Sequence, residues 1–254
     1  MIQNNEPASA PPLRHKGMTV PYVVQWSSET VTLTGNRDLV LREHVVTGQQ
    51  HIAYRDERPG DRAFGVLWGR MPETPGLGEP VFASINIARQ RRAIAEARCS
   101  VCGGAGQVWM VPAMIWEEFL AEHGPGADYE TSDPPLCRTC VPVAAAQCPN
   151  LSQRGFVFLN PRKWAITGVR GYVADPHTRD YTEDDVALLG AVGYDPVRLR
   201  LTLAKGLLAT LRGSTVQTDP DRVHGLGRRR GDQPPAPGRA RNRSAHLPAP
   251  RRGR

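Results

Sequence analysis

The sequence predicts an α+β fold in which a small antiparallel β domain carries an inserted four-cysteine segment and a C-terminal helix. Three observations support this prediction. Short segments rich in Val, Leu, Thr and aromatic residues recur along the chain, two CxxC pairs lie near its middle, and leucines recur every four residues around position 200. We expect one domain over residues 19–213, preceded by a disordered lead-in over residues 1–18 and followed by a disordered basic tail over residues 214–254.

The strands are predicted from apolar segments that alternate with turn residues. Because β-branched and aromatic residues favour extended backbone, we expect strands at residues 20–26, 31–34, 39–46, 51–54, 64–70, 81–87 and 108–111. Two more strands, at residues 155–159 and 164–173, are expected to pair with each other across a turn near Asn160 and Pro161.

Helices are predicted where apolar residues recur with a helical period. Three such segments lie at residues 88–98, 113–123 and 141–147. The last helix is predicted to follow Asp195 and Pro196, a favourable N-cap and a favourable first helical residue, and to end at Gly213. Its apolar face, which we interpret as packed on the core, consists of leucines four residues apart: Leu199, Leu203, Leu207 and Leu211.

The net positive charge of the chain is confined to its C-terminal end. The formal net charge is +7; residues 219–254 contain ten Arg, no Lys and three Asp, whereas residues 1–218 contain 22 basic and 22 acidic residues. An argument from net charge for nucleic-acid binding therefore applies only to this tail. The tail is either a genuine basic arm or an out-of-frame translation of GC-rich DNA, and in both cases it lacks the apolar residues of a core.

The cysteines indicate a metal site rather than disulfide bonds. Four of them form two CxxC pairs, Cys99 with Cys102 and Cys137 with Cys140, separated by 34 residues. Each CxxC turn directs two sulfur atoms at one ion, and four thiolates complete the tetrahedral shell of Zn²⁺. A complete shell has no position for a water molecule, so we expect a structural zinc knuckle over residues 99–148 without a catalytic role.

Two points about this site stay open at the level of sequence. Iron is the alternative metal, but the glycine that usually follows the second pair of a rubredoxin-like site is absent here, which favours zinc. The fifth cysteine, Cys148, lies eight residues beyond Cys140. A helix between them would separate the two by about 12 Å, so we interpret Cys148 as a packed apolar side chain rather than as a ligand or a reactive thiol.

Two short motifs resemble known zinc-binding families. Residues 99–106, CSVCGGAG, are similar to the CxxCxGxG repeat of the DnaJ cysteine-rich domain, which has four such repeats where this chain has one. A first knuckle, an insert and a second pair leading into a short helix resemble the treble-clef knuckle of HNH nucleases. That resemblance implies a His general base and a second metal, yet the insert contains a single His, His123, no Asn, and Asp133-Pro134-Pro135 in place of the expected Asp-His or His-His pair.

The most extensive resemblance is to small proteins of actinobacteria and their phages. These proteins have a CxVCG knuckle preceded by an RQRR-type segment, here residues 89–92, and a later PPLCxxC…CPxL segment, here residues 134–151. The resemblance covers about residues 20–212 and implies no particular activity.

From these observations we expect a zinc-stabilised, non-catalytic binding module in the cytoplasm, with nucleic acid or another protein as its partner. No apolar run typical of a membrane span or a signal peptide is present. The alternative is an enzyme, either a diverged HNH-like nuclease or one whose pocket is not visible in the sequence. The candidate nucleic-acid contacts are four arginines beside the first cysteine pair: Arg89, Arg91, Arg92 and Arg98.

Overall fold

The computed structural model describes residues 11–31 and 38–217, and within them the fold is mixed α+β and consists mostly of strands, which confirms the predicted class. The strands are β1 (Arg14–His15), β2 (Met18–Thr19), β3 (Val24–Trp26), β4 (Leu39–Glu43), β5 (Gln50–Tyr54), β6 (Arg62–Ala63), β7 (Val66–Trp68), β8 (Pro80–Ile85), β9 (Trp109–Pro112), β10 (Tyr129–Thr131), β11 (Phe156–Asn160), β12 (Lys163–Ala174), β13 (Tyr181–Ala187), β14 (Thr202–Arg212) and β15 (Thr215–Gln217). The α-helices are α1 (Ile87–Ala95), α2 (Ala113–His123), α3 (Val141–Gln147), α4 (Pro149–Arg154) and α5 (Pro196–Arg200). None of these helices has the length and apolar character needed to cross a membrane.

Strand β14 is the centre of the largest sheet. The strands of this sheet lie in the order β13-β12-β14-β7-β6, and β10 also pairs with β14. β14 is antiparallel to β12 and β10 and parallel to β7. Helix α1 packs against β14, and the main apolar cluster includes Ile87 and Ile94 from α1 together with Leu207 from β14. The core of the molecule therefore lies between α1 and this strand.

The predicted C-terminal helix is wrong. Helix α5 ends at Arg200, and Leu203, Leu207 and Leu211 lie on strand β14. A four-residue spacing fits both structures, because it is close to one helical turn and equals two full periods of a strand. Between Thr202 and Leu211 almost every residue is buried, as expected for a central strand that is covered on both faces rather than for a helix with one solvent-exposed face.

Strands β11 and β12 form as predicted but do not pair with each other. β11 pairs with β9 and β15 in a three-stranded sheet, whereas β12 lies between β13 and β14. The residues near Asn160 and Pro161 show where the chain turns, but the partner of each strand depends on which faces it buries. The remaining strands form two-stranded pairs, β1 with β2, β3 with β8, and β4 with β5.

The first predicted domain boundary falls within strand β2, and the second lies in the turn between β14 and β15. The hairpin of β1 and β2 lies in the predicted lead-in, and its His15 ring packs edge-on against Trp26 with 6.4 Å between ring centroids. Strand β15 lies in the predicted tail and pairs with β11. The rest of the lead-in and of the tail, residues 1–10 and 218–254, lies outside the described residues, as do residues 32–37 of a predicted strand and turn.

A buried ion pair joins α1 to the N-terminal part of the chain. The side chains of Arg89 and Glu29 are 2% and 0% exposed, and two hydrogen bonds of 2.7 and 2.6 Å connect the guanidinium to the two carboxylate oxygens. Glu29 also accepts hydrogen bonds from the backbone N–H groups of Trp26 and Thr74, and Arg89 donates to the carbonyl oxygen of Val24. These contacts satisfy the carboxylate well enough for it to remain charged in the interior.

Two amides fix the same helix at its start and against the sheet. Asn86 accepts hydrogen bonds from the first-turn N–H groups of α1 and donates to the carbonyl oxygen of Pro72. Gln90 accepts from the N–H of Leu207 and donates to its carbonyl oxygen, at 2.9 and 3.0 Å. The position of α1, and of the cysteine pair that follows it, is therefore set by specific hydrogen bonds as well as by apolar packing.

Replacing Glu29 with Gln is expected to lower the free energy of unfolding by about 3–5 kcal/mol, because Arg89 then keeps its charge in a buried site without a counter-ion. Urea denaturation followed by circular dichroism measures this change. The matched control is Glu96→Gln, which removes the partner of Arg98 from an exposed pair and should cost about 1 kcal/mol or less. Similar losses in the two variants would contradict the central role of the buried pair.

Glu29 also determines part of the pH dependence of stability. Burial raises the pKa of its carboxyl, but hydrogen bonds from Arg89 and from two backbone N–H groups outweigh burial, and the pKa lies below its usual range. Such a group stabilises the fold above its unfolded pKa of about 4.3, and this stability is lost as the pH falls through the lower, folded pKa.

We therefore expect the wild type to lose more stability than Glu29→Gln between about pH 5 and about pH 3. Urea denaturation of both proteins at each pH measures the difference. An equal loss in the two proteins would show that Glu29 does not contribute to acid unfolding.

Candidate metal centre

Four cysteine sulfur atoms converge where α1, the insert and α3 meet. The Sγ atoms of Cys99, Cys102, Cys137 and Cys140 all lie within 4.8 Å of one another, and those of Cys102 and Cys137 are 3.8 Å apart. A tetrahedral ion at about 2.3 Å from each sulfur would hold the sulfurs about 3.8 Å apart. The structure thus brings the four predicted ligands together in a geometry that suits a metal ion.

The first cysteine pair depends on glycines that allow close backbone packing. The N–H of Gly103 donates to the carbonyl oxygen of Cys99 at 2.8 Å and closes the turn between the two ligands. Gly103 has a φ of +74°, and a Cβ atom there would lie 3.1 Å from the ring of Tyr22. A Cβ atom at Gly106 would lie 2.6 Å from Pro135, two residues before Cys137. These two glycines therefore let the two knuckles approach each other.

The second cysteine pair opens a helix. Cys137 precedes a short 3-10 turn, Arg138–Cys140, and the N–H of Cys140 donates to the carbonyl oxygen of Cys137 at 3.0 Å. Helix α3 follows directly, as predicted. Val108 and Leu136 exchange two backbone hydrogen bonds of 2.7 and 3.1 Å, so the chain after the first pair is fastened to the chain before the second.

The insert between the two pairs is tied to both larger sheets. Its helix α2 has the predicted bounds, and Gly124, with a φ of +79°, ends it. Strand β9 pairs with β11, and strand β10 pairs with β14. A metal ion held by both pairs would therefore connect α1, the insert and α3 within one framework of strands.

The four cysteine side chains are suitable ligands for a metal cation. Cys99 and Cys140 are buried, while Cys102 and Cys137 are partly buried. Burial raises the pKa of the Cys99 thiol to about 11, and burial also raises the pKa of Cys140. Four thiolates at this distance would repel one another, so a bound cation is what would allow all of them to ionise.

Cys148 lies outside the group of four. It follows the last residue of α3 and packs, partly buried, against an apolar cluster that contains Val141 and Leu151. This environment agrees with its interpretation as a packed apolar side chain.

The prediction that Arg89 contacts nucleic acid is wrong, because its guanidinium is buried and bound to Glu29. The polar residues of the RQRR segment suggest a solvent-exposed face. In the structure, however, the buried face of α1 includes Arg89 and Gln90 together with Ala93 and Ile94. Helical spacing from Ala93 and Ile94 could have identified both, since they lie four residues earlier on the same face. Glu29, the missed partner of Arg89, has no comparable pattern in the sequence.

The other predicted arginines do not form one continuous free surface. Arg92 pairs with Glu73 at 2.9 Å, and Arg98 pairs with Glu96 at 2.5 Å. Arg91 instead lies over the indole ring of Trp68, with 4.7 Å between the guanidinium carbon and the ring centroid. Only Arg91 among these residues keeps a charge that no carboxylate in the described part of the chain pairs with directly.

Comparisons of the chain with protein-family models, with curated proteins and with solved structures found no match. The interpretation of the site therefore rests on its own geometry.

The wild-type protein purified without chelator is expected to carry about one metal ion per chain, and Cys137→Ser should lose most of it. Because metal binding to such a site contributes to folding, this variant should also unfold at a lower temperature. Elemental analysis by plasma mass spectrometry and thermal unfolding measure the two effects. Cys148→Ser is the matched control and should keep the ion, so loss of metal in both variants, or a wild type without metal, would contradict the assignment.

Proposed function

We propose that the four cysteines hold Zn²⁺ and that this ion has a structural role. The observation that carries the proposal is the convergence of four sulfur atoms within 4.8 Å of one another, with Cys102 and Cys137 at the 3.8 Å separation of a tetrahedral thiolate shell. A shell of four protein ligands leaves no coordination position for water or substrate. The second pair opens α3, which supports a treble-clef-like description of the knuckle. Iron is the alternative, and the elemental analysis of the purified protein distinguishes the two metals.

The role of the ion would be to stabilise the contacts around the first cysteine pair. The backbone N–H groups of Tyr22 and Val23 donate to the carbonyl oxygens of Val101 and Ser100, so the N-terminal segment packs on this knuckle. The ion would thereby join the N-terminal segment, α1, the insert and α3. Because the ion would connect these four segments, we expect it to stabilise the fold of a binding surface rather than to take part in catalysis.

We propose further that the protein is a cytoplasmic binding module without catalytic activity, and that its partner is nucleic acid. The support is electrostatic. Residues 219–254 carry ten Arg and three Asp, and Arg91 on α1 adds a charge that no carboxylate in the described part of the chain pairs with directly. Another protein as the partner is the alternative outcome of the same binding experiment.

A diverged HNH-like nuclease is the second candidate, favoured by the layout of the knuckle. Its general base would have to be His123, at the end of α2. The ring of His123 packs on Phe119, with 4.9 Å between centroids, and its side chain is 48% exposed. Asp128, the next acidic residue after α2, lies 3.5 Å from Arg212. These contacts suit a surface side chain better than a preorganised catalytic site.

Binding of short oligonucleotides is expected to be strongly salt-dependent, with the logarithm of affinity falling linearly with the logarithm of salt concentration. Deletion of residues 219–254 should remove most of the affinity while leaving the melting temperature nearly unchanged, because the deleted segment lacks the apolar residues of a core. Fluorescence anisotropy at about 50 and about 200 mM salt measures the first effect. A large fall in melting temperature would show that the tail packs on the domain.

The same samples test the nuclease alternative. The binding-module proposal predicts no cleavage of plasmid DNA at neutral pH in the presence of magnesium or manganese. Metal-dependent nicking that disappears in His123→Ala would contradict it and would make the enzyme the better description.

A further inference from the structure

A cleft of about 580 Å³ lies beside the first turns of α1, away from the four cysteines. This volume falls within the range of about 300–1,000 Å³ that small-molecule sites occupy. Apolar residues, among them Met71 and Ile87, form part of its wall, and the largely buried Trp68 also lines it. Three arginines also line it: Arg58, Arg70 and Arg91.

Two of these arginines are neutralised by carboxylates. Arg70 donates from Nε and Nη2 to the two carboxylate oxygens of Asp61, at 3.0 and 2.6 Å, and from Nη1 to Asp56 at 2.7 Å. Arg58 donates from Nε and Nη2 to Asp56, at 3.1 and 2.7 Å. These two arginines and two aspartates balance in charge, so they contribute little net attraction for an ion in the cleft.

Of the three arginines that line the cleft, Arg91 is the one whose charge is not neutralised by a carboxylate of the described residues. Within residues 11–31 and 38–217 its guanidinium makes no hydrogen bond and no ion pair, and it lies over the indole ring of Trp68. The nearest opposite charge, Glu73, is already bound to Arg92. Burial lowers the pKa of Arg91, and the positive charge of Arg92 lowers it further. Because this guanidinium is not hydrogen-bonded within the described residues, its N–H donors remain available to a ligand.

We propose that this cleft binds a phosphate group through Arg91, with the apolar wall accommodating the organic part of the ligand. The planar guanidinium offers parallel N–H donors that match two oxygens of a phosphate, and such bonds are stronger than those between neutral groups. The phosphate would come either from a small phosphate ester or from a nucleic-acid strand. The inference deepens the proposed function by naming the chemistry of one contact, and it does not depend on the metal.

Isothermal titration calorimetry of the full chain tests this site with three probes: inorganic phosphate, adenosine 5′-monophosphate and a short single-stranded oligonucleotide. Arg91→Gln should weaken binding of the two small probes by about tenfold or more, because it removes a charge-assisted bidentate contact. Arg154→Gln is the control, because Arg154 is an exposed arginine of α4 outside the cleft, and this variant should bind them as the wild type does. Arg91→Lys keeps the charge without the planar fork and should bind with intermediate affinity.

A second measurement keeps the test decisive if Arg91→Gln does not fold. Inorganic phosphate should raise the melting temperature of the wild type and of Arg154→Gln, and raise that of Arg91→Lys by less, because a ligand that binds only the folded state stabilises it. Equal binding by wild type and Arg91→Gln, or no binding of either small probe to the wild type, would overturn the inference. Oligonucleotide binding without binding of the small probes would refute this site and leave the proposed function intact. Binding of the small probes without oligonucleotide binding would support the site and exclude nucleic acid as the partner.

Discussion

The buried ion pair between Arg89 and Glu29 is the constraint on which the arrangement of this protein depends. Burying two charges is tolerated when hydrogen bonds replace most of their lost hydration. Here the carboxylate has three partners from three separate segments, although Nε of Arg89 lacks an acceptor. These bonds leave α1 little freedom to rotate or slide. Since Cys99 lies a few residues beyond the end of α1, the same pair also sets where the first two metal ligands are placed.

The four-cysteine site connects the segment that follows α1 to the insert and to α3. Its two CxxC pairs are separated by an insert whose strands belong to two different sheets, so an ion held by all four sulfurs would join parts of the chain that are distant in sequence. Restricting a long loop in this way reduces the entropy of the unfolded chain, and the bonds to the ion add directly to the stability of the fold. The site thus has a sufficient physical reason to exist without any chemistry at the metal.

Charge on the surface around α1 is largely neutralised within the protein. Arg92, Arg98 and Arg70 each bind a neighbouring carboxylate, which reduces their attraction for an external anion. Arg91 differs because it lies against an aromatic ring instead of a carboxylate. Recognition by this face would therefore depend on one defined contact within a cleft, whereas the tail of residues 219–254 would act through its net charge.

The sequence by itself determined the four cysteines, the glycines between them and the bounds of α2, because CxxC turns and helix ends are set by residues close together in the chain. Tertiary structure alone decided three other features. It made a central strand of the leucines after Arg200, since their spacing suits a helix and a strand equally and only burial on both faces distinguishes them. It assigned β11 and β12 to different sheets. It also moved Arg89 from an expected surface to the interior, because its counter-charge, Glu29, lies 60 residues away and no local pattern connects the two.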